Sequence, residues 1–143
     1  MLAQMLAPAA ALVAWSLVVL FWMVVTRFAG LAKTDVDLGN APPGGRGQDL
    51  EPILPAKTNW KSHNYTHLME QPTIFYPTVV VIALMGAGPT DILFAWAYVA
   101  IRIVHSLWQT SVNRIPVRVV LFTLSTLCLV VLSVRAVMLT IFG

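Results

Sequence analysis

Charge is scarce in this chain. Of its 143 residues only 10% are Asp, Glu, Lys or Arg, where a soluble domain carries roughly 25%. Hydrophobic residues make up 58%, and the mean hydropathy is +0.78. A water-soluble domain is excluded, and the chain reads as an integral membrane protein. Cysteine is limited to Cys128, which rules out an intramolecular disulfide and a Cys-based metal cluster. Set in an apolar segment, Cys128 reads as a small packing filler. The net charge of +3 comes with no basic run and no recognition motif, so nucleic acid is not an expected partner. The chain shows neither an internal repeat nor a low-complexity tract.

What the chain does have is apolar length. A membrane-crossing helix needs about 20 apolar residues, and four segments meet or approach that, at about residues 8–28, 62–87, 91–111 and 116–141. An all-α fold follows, a bundle of four transmembrane helices in one membrane domain over residues 1–143. The first segment is too long for a signal-peptide core, and residues 1–10 carry no Lys or Arg, so it reads as a retained helix. Between the first two segments lies a connection of about residues 33–57, whose Asn40-Ala-Pro-Pro-Gly-Gly-Arg-Gly47 cannot be helical; it reads as a flexible surface loop, with a lid as one possible use.

Basic residues cluster in the first connection (Lys33, Arg46, Lys57, Lys61) and the third (Arg114, beside Arg118), and are missing around Gly86–Asp91. The positive-inside rule places the first and third connections in the cytoplasm and both termini outside. Arg135 dissents, but it follows Arg118 by about 25 Å of helix, so the two reach opposite faces.

Polar residues on or beside the spans are functional candidates because charge at membrane depth is costly. In the second span, Asn64, His67 and Glu70 follow at i, i+3 and i+6, with Thr58 or Asn59 as the helix cap and a kink at Pro72 and Pro77. In the third, Arg102 and His105 share a face, with Gln109 a turn further on. Arg102 lies about 16 Å of rise from Asp91, near the middle of a roughly 30 Å hydrocarbon core, where a cation must pair or face water. Glu70 is the acidic residue nearest that half of the spans, so a Glu70–Arg102 ion pair is expected. Arg114 and Arg118, with Asn113, bring guanidiniums to the start of the last span, an arrangement suited to a carboxylate, a phosphate or a thiolate. Each candidate also has an ordinary explanation. Asn64 and His67 suit an interfacial helix end, and Arg114 suits positive-inside decoration. A metal site is a further reading. His63, His67 and Glu70 fall at i, i+4 and i+7, with His105 as a fourth ligand, but neither a Glu-x-x-His repeat nor HExxH is present, and no metal is expected.

Taken in order, these pieces resemble a family, the membrane-associated proteins in eicosanoid and glutathione metabolism (MAPEG). Asn64-Tyr-Thr-His67-Leu-Met-Glu70-Gln-Pro72-Thr-Ile-Phe75-Tyr76 resembles a bacterial form of its Asn…Glu-x-Pro…Phe signature. Ala95-Trp96-Ala97-Tyr98-Val-Ala-Ile-Arg102-Ile-Val-His105-Ser is similar to its Arg-x-x-His stretch. Asn113-Arg114 and Arg118-Val-Val-Leu-Phe122 resemble its entry to the last helix. The resemblance implies a homotrimer in a bacterial inner membrane, in contact with lipids, with glutathione as co-substrate between subunits near the cytoplasmic side. It implies that Arg118 stabilises the glutathione thiolate, and that Lys61, Asn64, His67, Glu70, Arg102, His105, Gln109 and Arg114 shape the substrate site. Lys61 stands near where active members carry an arginine, and Gln109 where several carry a tyrosine.

The function so implied is a glutathione-dependent transferase or peroxidase acting on lipophilic electrophiles. The alternative is a non-catalytic protein of the same fold that scaffolds a partner, its polar residues serving as glue between helices. A transporter fits less well, because four spans without paired broken helices lack the usual architecture.

Overall fold

Apolar length and proline placement decide where the helices run. The computed structural model describes all 143 residues, with α1 at Leu2–Leu31, α2 at Ala56–Leu68, α3 at Pro72–Met85, α4 at Pro89–Ser111 and α5 at Ile115–Ile141. No strand is present. Four helical segments are long and apolar enough to cross a membrane: α1, α2 with α3, α4 and α5. The shortest has 23 residues, about 35 Å at 1.5 Å per residue, enough for a hydrocarbon core of about 30 Å. The protein is therefore an all-α, multi-pass membrane protein, as its composition predicts.

Helix ends follow local chemistry. At the start of α4, Pro89 occupies the first turn, where a missing N–H is harmless, and the Asp91 carboxylate accepts the Gly88 N–H at 2.8 Å. Helix α3 stops at Gly86, whose φ of 109° is open to glycine and strained for other residues. Helix α2 begins behind Pro55, ahead of the expected Thr58 or Asn59 cap. Asn59 lies inside the helix instead, and its amide Nδ2 donates to the carbonyls of Glu51 (2.8 Å) and Leu54 (3.4 Å). The side chain read as a cap thus fastens the preceding connection.

The expected kink is a full break. Met69, Glu70 and Gln71 form a turn, and α3 restarts with Pro72 in its first turn. Pro72 has no N–H for the Leu68 carbonyl, so the ladder cannot continue through it. Shorter bonds bridge the gap, from Thr73 N–H to the Glu70 carbonyl (3.2 Å) and from Ile74 N–H to that of Gln71 (3.0 Å). Pro77, also expected to kink, sits within the continuous α3.

Helix α4 is the hub, packed against α1, α2 and α5, while α3 packs on α1 and α5. Phe75 of α3 stacks on Tyr98 of α4 with ring centroids 4.3 Å apart, among buried Leu12, Val19, Val79, Ile82 and Leu132. Large apolar side chains such as Phe21, Val25, Leu84, Leu93 and Ile115 point outward, as lipid-facing positions require. Asp91 and Arg135 pair at 3.4 Å, joining the start of α4 to the far part of α5. One hydroxyl fastens three helices: Ser106 Oγ on α4 accepts from Trp15 Nε1 on α1 (3.0 Å) and from Asn64 Nδ2 on α2 (2.5 Å).

Ser106→Ala removes that shared acceptor and leaves the fully buried Asn64 amide without a partner. The variant is expected to lose about 1–3 kcal/mol of stability, read as a lower thermal midpoint of the detergent-purified protein.

Candidate functional site

The break before Pro72 sets the site. It turns Gln71 inward onto Arg102, which is only 1% exposed. Arg102 Nε donates to Tyr98 Oη (3.2 Å), Nη1 to His67 Nε2 (3.0 Å) and Nη2 to Gln71 Oε1. The rings of Tyr98 and Phe122 lie 5.5 Å and 5.3 Å from the guanidinium carbon, close enough for their faces to contribute. Tyr98 Oη also donates to Gln71 Oε1 (3.2 Å), and Gln71 Nε2 donates to Thr126 Oγ1 on α5 (2.9 Å). One glutamine therefore links the break to α4 and α5.

The expected Glu70–Arg102 pair does not form. Glu70 is exposed, and its Oε2 lies 3.3 Å from His67 Nδ1. The reason is the break: α2 ends at Leu68, so Glu70 lies in the turn and is no longer on the helical stripe that carries Asn64. The turn then brings in Gln71, a neutral residue, where a carboxylate was expected. Since Nε2 of His67 accepts from Arg102, the proton of its neutral ring is on Nδ1, directed at Glu70.

Two cavities flank this centre. The first, about 450 Å³, is walled by Ile115, Val119 and Phe122 of α5 together with His67, His105 and Arg118. The second, about 340 Å³, has no hydrophobic lining. Helix α2 gives it Ser62, His63, Thr66 and His67, the break gives Glu70, α4 gives Gln109 and α5 gives Arg118. Gln48 and Glu51 of the first connection complete its wall. His67 and Arg118 belong to both cavities.

Arg118 is placed by the turn between α4 and α5. The N–H groups of Val112 and Asn113 both donate to the Trp108 carbonyl, at 3.0 Å and 2.8 Å. Asn113 takes a left-handed backbone, φ 55°, which asparagine tolerates better than most residues. Its Oδ1 accepts from Arg118 Nη1 at 3.0 Å, while Arg118 Nε is buried with no partner. Asn64 Oδ1 and Gln109 Oε1 are likewise buried and unpartnered. Unsatisfied buried polar atoms are uncommon and call for an explanation.

The sequence-derived candidates thus divide. His67, Glu70, Gln109 and Arg118 meet at the polar cavity, and His105 joins His67 and Arg118 at the apolar one, its ring 4.8 Å from that of His67. Asn64 and Arg102 lie behind the cavities as buried supports. Arg114 is exposed; its backbone carbonyl accepts from Trp108 Nε1, and its side chain lines neither cavity. Lys61 is also outside both, its ammonium donating to the Lys57 carbonyl (2.7 Å) and lying 5.4 Å over the Trp22 ring. His63 pairs with Glu51 at 2.9 Å and shares the polar cavity with His67 and Glu70 without bonding to either. Sequence reasoning missed Gln71 and Tyr98, whose polar ends converge on Arg102, and Gln48 and Glu51, which arrive from the loop.

Four spans, a buried arginine at their centre and a polar cavity sharing two residues with an apolar one define a helical membrane protein with an internal site. The chain belongs to the MAPEG family, whose model matches residues 5–138. That family includes glutathione-dependent transferases and peroxidases as well as non-catalytic members. No curated protein and no solved structure matches the chain.

Gln71→Leu strands a charged N–H of Arg102 and the hydroxyl proton of Tyr98. A loss of about 2–4 kcal/mol is expected, measured by chemical unfolding in detergent, with a smaller loss for Glu70→Gln because Glu70 makes no contact with Arg102.

Proposed function

We propose that this protein is a glutathione-dependent membrane transferase or peroxidase that acts on lipophilic electrophiles. The observation that carries this reading is the sharing of His67 and Arg118 by a wholly polar cavity and an apolar one. A reaction between a water-soluble thiol peptide and a lipid-dissolved electrophile needs such a boundary, with a cation on it.

The residues present suit the peptide. It brings two carboxylates, an ammonium, two amides and a thiol. Arg118 and Gln109 line the polar cavity, and Glu70 offers an oxygen beside the one that faces His67. The role assigned to Arg118 is to hold the sulfur as thiolate. A free thiol titrates near about 8.5, and a neighbouring cation lowers that value and raises the thiolate fraction at neutral pH. Fixed by Asn113, the guanidinium needs little reorganisation as the charge develops. Ile115, Val119 and Phe122 hold the electrophile on the other side of Arg118 and exclude water from it. Phe122 is 37% and Ile115 68% exposed, so this cavity is open at the surface of the single chain.

The wider reading has the chain as a homotrimer with glutathione between subunits. The end carrying the first and third connections faces the cytoplasm of a bacterial inner membrane, and both termini lie outside. Family membership and the gathering of Arg27, Lys33, Arg46, Lys57, Arg114 and Arg118 toward one end support it.

The test is glutathione titration of the detergent-purified protein, following thiolate ultraviolet absorbance against pH. Wild type is expected to give a saturable signal already at neutral pH, with its midpoint below the free thiol's. In Arg118→Ala the midpoint should rise back toward about 8.5. Arg118→Lys, a point charge without the fork, should lose about 10²-fold or more in turnover while the oligomer seen by size-exclusion chromatography persists. Absence of binding at millimolar glutathione, or full turnover by Arg118→Lys, would sink this assignment.

A further inference from the structure

We infer that His105 receives the electrophile: its ring N–H binds the oxygen of a lipid hydroperoxide in the apolar cavity and stabilises the alkoxide that departs. This deepens the proposed function and rests on it.

Two imidazoles stand side by side where the cavities meet, their ring centroids 4.8 Å apart, and they are held in opposite ways. His67 has both nitrogens engaged, Nε2 with Arg102 at 3.0 Å and Nδ1 with Glu70 at 3.3 Å. His105 is 3% exposed. The bonds around it run between Arg102, Tyr98, Gln71 and His67, and between Ser106, Trp15 and Asn64, and none ends on a ring nitrogen of His105. Nor are those nitrogens sealed off. The fully enclosed orphan atoms of this protein belong to Asn59, Asn64, Gln109 and Arg118, whereas His105 keeps access to the apolar cavity it lines. It takes no part in the polar cavity, so the thiol peptide is not its partner.

Every protonation state of an imidazole carries at least one N–H. A hydrogen-bond donor therefore faces a cavity whose α5 wall of Ile115, Val119 and Phe122 gives an oxygen nothing to bind. Arg118 is fixed by Asn113 and serves the sulfur, and His67 has no nitrogen to spare. The occupant that satisfies this wall is apolar over most of its length and carries an oxygen acceptor beside the sulfur. A lipid hydroperoxide has that form. A halide leaves His105 without a strong acceptor, and unsatisfied buried polar groups are uncommon.

The step balances with glutathione alone. The thiolate attacks the terminal peroxide oxygen, an S–O bond forms, the O–O bond breaks, and its electron pair leaves on the inner oxygen as alkoxide. The His105 N–H donates to that oxygen as the charge develops. The proton lost when the thiol ionised completes the alcohol through water. A second glutathione attacks the sulfenic acid, giving the disulfide and water. Two thiols are oxidised and one peroxide is reduced.

The test compares two electrophiles in the full-length, detergent-purified protein with glutathione: cumene hydroperoxide, which leaves as an alkoxide, and benzyl chloride, whose chloride is a far weaker hydrogen-bond acceptor. His105→Phe keeps a flat ring without a donor, and His105→Gln keeps an N–H. Thermal midpoints and the glutathione thiolate signal check both variants. His105→Phe is expected to lose about 10²-fold in kcat/KM with the hydroperoxide, a far smaller factor with benzyl chloride, and nothing in the thiolate signal, while His105→Gln recovers part of the hydroperoxide activity. An equal loss with both electrophiles, or loss of the thiolate signal in His105→Phe, overturns the assignment. Wild type that turns over benzyl chloride but not the hydroperoxide overturns it too and leaves the proposed function standing. Wild type that binds no glutathione and turns over neither electrophile overturns both.

Discussion

A guanidinium buried among membrane-spanning helices is the constraint on which the rest of this structure depends. Arg102 cannot discharge into water and has no carboxylate within reach, so neutral acceptors and aromatic faces must satisfy it. Those acceptors come from three places that sequence keeps apart: Tyr98 one turn back on α4, His67 on α2 and Gln71 in the break. Meeting Arg102 therefore fixes how α2, the break and α4 sit together. The bond from Gln71 to Thr126 carries the same constraint to α5. Both shared residues of the two cavities follow from this arrangement. His67 is held by Arg102 on one nitrogen and directed at Glu70 by the other, and α5 brings Arg118 alongside.

Neutral acceptors leave the centre with an uncompensated positive charge. An internal ion pair would have cancelled it. The unpaired charge raises the local potential on both sides of His67, and Arg118 adds to it. Anionic groups entering the cavities are favoured by this field, which a low-dielectric surrounding screens poorly. Glu70 and Glu51, at the outer wall of the polar cavity, supply the opposite sign. The site is therefore polarised from a cationic interior to an acidic edge, a suitable field for a ligand that carries both signs.

Much of the fold was legible in the sequence because its causes are local. Hydropathy over 20 or more residues marks a span regardless of neighbours, and Pro72 marks a break whatever it packs against. Arg102 and Arg118 stood out because charge at their depth demands a reason. The partner of Arg102 was not legible. Periodicity carries a stripe along an unbroken helix, and it failed at the turn of Met69–Gln71, where one residue's shift exchanged a carboxylate for an amide. Glu51 and Gln48 were missed for a different reason. The first connection has no period, and its path is set by tertiary contacts such as that of Asn59, a residue whose type also suits a helix cap. Arg114, with an extended backbone ahead of α5, lines neither cavity, whereas Arg118 one turn on lines both.

The left-handed backbone at Asn113 has a consequence for how freely this chain can drift. Glycine there keeps the turn but deletes the acceptor for Arg118. Aspartate keeps the acceptor but adds a charge that ties the guanidinium down. Alanine loses the acceptor and adds about 1–2 kcal/mol of backbone strain. The position lines neither of the two cavities beside Arg102, yet few substitutions there would be neutral. The orientation of one arginine thereby depends on the identity of another residue, five places earlier and at the end of a different helix.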